Sequence, residues 1–334
     1  MACPKLQNLP PRWAHFCLGI ENFITRELQT DLRGTTLLAA YSTGLDSTAL
    51  LYIFHLLAPR LDLHLTAANL NHMLRPEAVR EQDIARATCA KLQIPFFGES
   101  ADVTAFARQK KVGLEEGARL LRYDFLERVR QKVGASYILT AHHADDLAED
   151  VLMRIARGTG WPGLAGMQGV VPERKILRPL LKTPKKLLRA FLECMDVSWE
   201  EDHSNQDMTF LRNRVRYEIL PLFLRENPAF LETVNQLWKM GRADQNYWEN
   251  KVGEYVDGKN TVVIPSALRT LDQALRCRII KHTVETLGPG QALAAAIFKL
   301  DDLWQKKATG KTIQFPGDKV ATITRAGIRF GRKK

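Results

Sequence analysis

Apolar and polar positions along residues 35–180 follow two alternating periods. The short apolar runs Leu37-Leu38-Ala39-Ala40-Tyr41, 63–71, 95–99 and 137–141 have the length and flanks of buried strands. Longer stretches with helical spacing lie between them. One runs from Asp46 to Ala58, where Pro59 is expected to stop it, and others cover 77–92, 115–132 and 145–157. Strands separated by helices of that size predict an α/β fold, a doubly wound and mostly parallel sheet with helices on both faces. Such sheets bind ligands outside the carboxyl ends of their strands.

The pattern changes after about residue 200. Residues 210–255 and 267–308 read as helical, with no clear strand until 311–330, where TIQFPGD and ATITRAGIRF look like a small terminal hairpin. A catalytic domain over 1–215 and a smaller, mainly helical domain over 216–334 are therefore expected, with Pro221 and Pro228 beside the boundary.

Charge adds a partner. The 334 residues carry 48 Lys and Arg against 37 Asp and Glu, a net +11. That excess suits a polyanion, because each phosphate met by a cation releases counterions, although many proteins are basic for no such reason. The five cysteines, Cys3, Cys17, Cys89, Cys194 and Cys277, are scattered and form no CxxC pair for a metal or cluster. The first residues lack a basic stretch followed by an apolar one, and no apolar run is long enough to span a bilayer. A cytoplasmic protein with no membrane partner is expected; the oligomeric state stays open, a homodimer included.

Two segments carry chemistry. Ser42-Thr43-Gly44-Leu45-Asp46-Ser47 lies between a strand and a helix, where backbone N–H groups and the positive helix end meet an anion. Gly44 is expected to permit the tight turn. Ser42 and Ser47 offer hydroxyls, and Asp46 either holds a magnesium ion or caps the helix. The loop has no Lys, which separates it from the GxxxxGK[ST] phosphate loop. The second segment runs from Thr140 to Glu149 and places His142, His143, Asp145, Asp146 and Glu149 at a strand-to-helix junction. Its three acids share a helical face, suited to magnesium or an ammonium, or simply favoured by the helix dipole.

The hexamer resembles the SGGxDS loop of the ATP-pyrophosphatase superfamily, with Thr43 where the first Gly is usual; since Gly44 remains for the close approach, an ordinary negative φ is expected at Thr43. The second segment continues into Arg154, Arg157-Gly158-Thr159-Gly160 and Gly163-Leu164-Ala165-Gly166-Met167, and is similar to the HHxDDxxET…RGTG…GLxGM of the tRNA(Ile)-lysidine synthetase family. Further likenesses are Asn71-His72-Met73-Leu74-Arg75, Gly113 to Tyr123 with Arg119 and Arg122, Glu201-Asp202 with Ser204-Asn205, and Arg212-Asn213-Arg214-Val215-Arg216. The resemblance covers roughly residues 35–225 well.

It implies ATP and Mg2+ as cofactors, with residues 42–47 and His142 on the nucleotide and Asp46 on the metal. The substrates implied are L-lysine and tRNA(Ile). ATP adenylates C2 of the wobble cytidine, and lysine then displaces AMP. Asp46, Asp145, Asp146 and Glu149 are the implied catalytic acids, with Glu149 on lysine. Arg119, Arg122, Arg154 and Arg157 are either substrate contacts or surface partners on their helices. Lys185, Lys186, Arg212, Arg214 and Arg216 stand as tRNA contacts. Trp199, Trp238, Trp248 and Trp304 are expected in the core. The rival readings are a cytidine 2-thiolase, whose relatives carry CxxC pairs, and a non-catalytic basic RNA-binding protein.

Overall fold

The computed structural model describes residues 5–73, 77–201, 208–256 and 262–333. It divides into two compact units, one of residues 1–157 with 166–236 and the other of 158–165 with 237–334. Residue 215, the expected end of the first domain, lies inside the first unit, in a wide helical turn over Val215–Ile219.

The first unit is built on a six-stranded sheet ordered β3-β2-β1-β4-β6-β5. Its strands are β1 (Thr36–Ala40), β2 (His64–Asn71), β3 (Phe96–Ser100), β4 (Tyr137–Leu139), β5 (Val170–Val171) and β6 (Ile176–Leu177). All pairings are parallel except β5 with β6. The helices are α1 (Pro11–Asn22), α2 (Leu45–Leu61), α3 (Glu77–Lys91), α4 (Val103–Lys110), α5 (Leu114–Lys132), α6 (Ala144–Ala156), α7 (Lys185–Cys194), α8 (Leu211–Arg214) and α9 (Leu220–Glu226). The long α10 (Phe230–Gly253) follows. Strand order reverses between β1 and β4, which pair with Leu38 opposite Ile138 and Ala39 opposite Leu139. That reversal opens a crevice at their carboxyl ends.

Helix α2 is apolar on nearly every side. Leu50, Leu51, Ile53, Phe54 and Leu57 are fully buried, each contributing about 1.5–3 kcal/mol by leaving water. The helix runs through Pro59 and ends only where Asp62 turns left-handed. A proline in the last turn removes a single hydrogen bond, which this burial outweighs, so the expected stop at Ala58 is corrected by three residues. The two-residue strands β5 and β6 and helices α1, α4 and α7 add to the predicted elements.

In the second unit, β7 (Val263–Pro265), β10 (Gly327–Arg332), β9 (Lys319–Thr324) and β8 (Thr312–Phe315) form an antiparallel sheet in that order. The expected hairpin is thus part of four strands, one of them in a region read as strand-free. Helices α11 (Gln273–Thr286) and α12 (Ala294–Gln305) join it around Ile280, Val284, Leu300, Trp304 and Ile328. Arg276 clamps the buried Asp301 through Nε and Nη2 at 2.7 and 2.9 Å. Trp238 and Trp304 are core residues as expected, whereas Trp248 and Trp199 are partly exposed. The stretch 158–165 packs here too: Trp161 Nε1 donates to Asp244 at 2.5 Å, and Ala165 lies against Gly241 of α10 with no room for a Cβ.

Candidate active site

Residues 42–47 leave β1 and enter α2 at the crevice. The loop holds its own shape. Ser47 Oγ accepts from the Ser42 N–H at 3.1 Å and donates to the Gly44 carbonyl at 3.0 Å. Thr48 donates to the Thr43 carbonyl, which also accepts from the Glu200 N–H at 3.0 Å. The Gly44–Glu200 bridge turns the Leu45 N–H towards the Glu200 carbonyl, whereas the N–H groups of Asp46 and Ser47 meet no acceptor among the described residues. Two open donors at the start of a buried helix of 17 residues form an anion seat. Gly44 leaves that seat clear, since a Cβ there would approach nothing closer than 3.8 Å.

The turn itself is made elsewhere than expected. Thr43 has φ +64, and it is Gly44 that sits at an ordinary −68. Thr43, expected to have negative φ, therefore carries the left-handed conformation that glycine favours. It is buried, and its hydroxyl donates to the Ser42 carbonyl at 2.5 Å, so its side chain points away from the anion seat's open N–H row.

Across the crevice, β4 delivers His142 and His143. His143 is the residue that sequence reasoning left without a role, and it is the hub of the site. It is the N-cap residue of α6, where its backbone N–H donates to Asp146 at 3.1 Å, and its side chain is almost fully buried. Nε2 lies 3.4 Å from Asp46 and 3.3 Å from Asp146, and Nδ1 lies 3.5 Å from Asp145. Burial pushes its pKa down, but Asp146, Asp145 and Asp46 outweigh this and raise it to about 10. His142 behaves oppositely. Burial, with help from Arg178 and Arg212, holds it down to about 3 against the pull of Asp146. A neutral ring fits its bonds: Nδ1 takes the Arg178 Nε–H at 3.3 Å and lies 3.0 Å from the Thr140 hydroxyl.

The acids of α6 are already paired. Arg212 reaches Asp146 at 2.7 Å and Glu149 at 3.0 Å, while Arg216 reaches Glu149 at 2.5 Å and Asp146 at 2.9 Å. Burial raises the Asp146 pKa, but His143 and Arg212 outweigh it and hold the carboxyl well below its usual range. Side-chain exposure grades the three acids, at 26% for Asp145, 10% for Asp146 and 1% for Glu149. Asp145 accepts the Lys185 N–H at 2.8 Å, and Lys185 Nζ sits 3.5 Å from Asp46. Lys185, expected on a tRNA-facing stretch, thus stands at the loop.

Other expected site residues lie apart. Arg119 pairs with Glu116, Arg154 with Asp150, and Arg214 donates to the Met208 and Thr209 carbonyls. Arg157 is exposed at the end of α6, and Lys186 is on α7. Arg122 lies over Tyr123, near enough for its charge to depress His142 and His72. Leu74, Arg75, Asp202, Ser204 and Asn205 fall outside the described residues.

For a metal, Asp46 Oδ1 is buried and meets no hydrogen-bond partner. A lone hard oxygen beside an anion seat fits Mg2+, which takes one or two carboxylates and completes its shell with phosphates and water. In keeping with that, no group of three His, Cys, Asp or Glu among the described residues could hold a metal unaided.

An anion seat after β1, facing an acid-headed helix after β4, defines the PP-loop class, and the PP-loop domain family matches residues 20–223. A tRNA(Ile)-lysidine synthase of Nitratidesulfovibrio vulgaris is 40% identical over 321 residues, covering 90% of this chain and 92% of that protein. Another, from Petrotoga mobilis, is 36% identical over 204 residues, 61% of this chain and 65% of the relative. The U34-tRNA thiolase NcsA from Methanococcus maripaludis, solved with its 4Fe-4S cluster, superposes with a TM-score of 0.57 at 15% identity. That likeness covers 68% of this chain and 78% of the thiolase and concerns the fold alone. The chain belongs to the tRNA(Ile)-lysidine synthase family of PP-loop proteins. Among the described cysteines, Cys17 and Cys89 are buried with thiols pushed up to about 12, which makes them inert packing groups. No helix among the described residues is long and apolar enough to cross a membrane.

Proposed function

We propose that this crevice joins L-lysine to C2 of the wobble cytidine of a CAU-anticodon tRNA(Ile), consuming ATP. The carrying observation is the open N–H pair of Asp46 and Ser47 at the head of α2, with the Asp46 carboxylate 3.4 Å from His143 of the acid cluster. The cytidine O2 attacks the α-phosphorus of ATP, and the bond to pyrophosphate breaks. The ε-amine of lysine then attacks C2, the C2–O bond to AMP breaks, and the amine proton passes to a base.

The helix end and its N–H groups hold the leaving pyrophosphate, and Lys185 lies beside it. Asp46 would hold Mg2+, which would supply positive charge to offset that of the phosphates. Asp145, the most exposed of the three acids, is assigned to the lysine ammonium and its proton. Asp146 and Glu149 are held by Arg212 and Arg216, and this closed cluster fixes the helix head that carries Asp145. Neutral His142 adds no charge where the nucleotide binds.

The test is the fate of ATP labelled at the α-phosphate. AMP and pyrophosphate are expected, and only with the CAU tRNA present. ADP as product would overturn the class of reaction.

A further inference from the structure

The second unit carries almost all of the chain's excess charge. Residues 237–334 hold 18 Lys and Arg against 9 Asp and Glu, a net +9 of the total +11. On this basic unit, α10 and the start of α11 enclose an open cleft of about 480 Å³. Flat groups line it. Tyr247 is 58% exposed, although it is a large aromatic. Its ring and that of Trp248 meet at 77° with centres 5.1 Å apart, and more than half of Tyr247 stays open to solvent. The Arg278 guanidinium lies 3.8 Å over the Trp248 ring and is fixed by a bond to the Ala274 carbonyl at 3.2 Å. Trp248 packs against the unit's core on its buried side.

An exposed tyrosine beside a guanidinium stacked on tryptophan is poor economy for a water-facing surface. Aromatic faces and guanidinium planes are, however, the groups on which unpaired bases stack. Lys251, whose ammonium pairs with Glu254 at 2.6 Å, also lines the cleft, and so do Asp272 and Gln273, which carry acceptor oxygens. Asp272 is at the head of α11 but makes no side-chain capping bond, so its carboxylate is available to a ligand. A carboxylate and an amide oxygen accept from the exocyclic amine of adenine or cytosine, which uracil lacks.

We propose that this cleft seats one unpaired adenine or cytosine of the RNA substrate, stacked on Tyr247 and the Arg278–Trp248 pair. The proposal rests on the reading that the substrate is RNA. It adds to it a base-binding site remote from the chemistry in sequence. None of these residues belongs to the loop or to the acid helix.

The test uses the full chain in two arms. In the first, filter binding measures the affinity for the CAU tRNA, with turnover measured at saturating tRNA. Tyr247→Ala is expected to weaken binding about 10-fold while kcat stays within about twofold, and Tyr247→Phe is expected to restore affinity. Unchanged affinity in Tyr247→Ala, with the parent active, would overturn the cleft alone. In the second arm, oligo-A, oligo-C and oligo-U of equal length compete at one salt concentration. Oligo-A and oligo-C are expected to bind several-fold tighter than oligo-U, and Asp272→Ala is expected to erase the difference. Equal binding of all three would make the surface a phosphate contact and overturn the base site. This arm needs no turnover, so an inactive parent that still prefers oligo-A and oligo-C would refute the catalytic reading and leave the cleft standing.

Discussion

The two segments that face each other across the crevice are built on opposite plans. The loop after β1 leaves polar groups open: two N–H donors, of Asp46 and Ser47, and one carboxylate oxygen, Asp46 Oδ1, have no protein partner among the described residues. The helix head after β4 is closed, its acids held by Arg212, Arg216, His143 and the Lys185 N–H. Open polar groups cost stability until a ligand meets them, and closed ones hold geometry. The loop is therefore the side that receives the nucleotide, and the acid helix is a rigid wall that offers its most exposed acid, Asp145, to lysine. Substitutions on the two sides should separate stability from activity.

The largest effect is expected on the closed side. Arg216→Ala leaves Glu149, 1% exposed, with Arg212 as its remaining arginine. A loss of about 3 kcal/mol is expected, the lower end for breaking a buried pair. Thermal unfolding should show it as a fall of about 6–12 °C. A Tm within a degree of the parent would show the cluster to be loose.

Asp46→Ala is expected to do the reverse. Its Oδ1 has no partner to lose, and its Oδ2 contacts, among the described residues, only His143 and Lys185, at 3.4 and 3.5 Å, so the Tm should fall by less than in Arg216→Ala, by about 2–4 °C. Release of AMP should fall by about 100- to 1000-fold, as when a charge-stabilising group is removed from a transition state. tRNA affinity should persist, because Asp46 faces the nucleotide. Parallel losses of tRNA binding and activity would contradict this division.

Adjacent histidines give the comparison a pH dependence. His143 is raised from its unfolded value near 6.5 to about 10, so its contribution is complete below pH 6.5 and fades as the pH climbs towards 10. His142 is lowered to about 3, so the unfolded chain takes up a proton that the fold refuses, and stability falls as pH drops from 6.5 towards 3. Each limb should slope by up to about 1.4 kcal/mol per pH unit. Denaturant melts across pH should show His143→Gln flattening the alkaline limb and His142→Gln the acid one. Limbs that survive these substitutions would assign the titration to other groups.

The smallest effect concerns Thr43. With φ +64, glycine is favoured over alanine, and Thr43→Gly should be more stable than Thr43→Ala by about 1 kcal/mol. Equal denaturation midpoints for the two would place residue 43 in an ordinary conformation after all.

Strands β1 to β4 and both loops were legible in the sequence because each rests on local pattern: an apolar run, a turn, then a capped helix. The partners of the acids were not. Arg212 and Arg216 lie 63 to 70 positions from Asp146 and Glu149, and one basic run looks like another until the chain closes. Lys185 was read as part of a charged stretch for the same reason, although its backbone N–H docks on Asp145. His143 was legible as a residue type but not as a hub, since three carboxylates converge on it from two segments. β7, with three residues, and β5 and β6, with two each, are too short to show a period. At Thr43 the motif's usual glycine was itself the signal of a left-handed turn, and Gly44 next to it drew the assignment one residue too far.

The most direct measurement is mass analysis of nucleosides from CAU-anticodon tRNA(Ile) after incubation of the protein with ATP, Mg2+ and isotope-labelled lysine. A cytidine carrying the labelled lysine in place of its C2 oxygen is expected from the parent. It should be retained by Arg216→Ala at temperatures where that variant stays folded, and lost in Asp46→Ala. Unmodified cytidine from the folded parent, or label incorporated equally well by Asp46→Ala, would contradict the assignment of this crevice to lysine ligation.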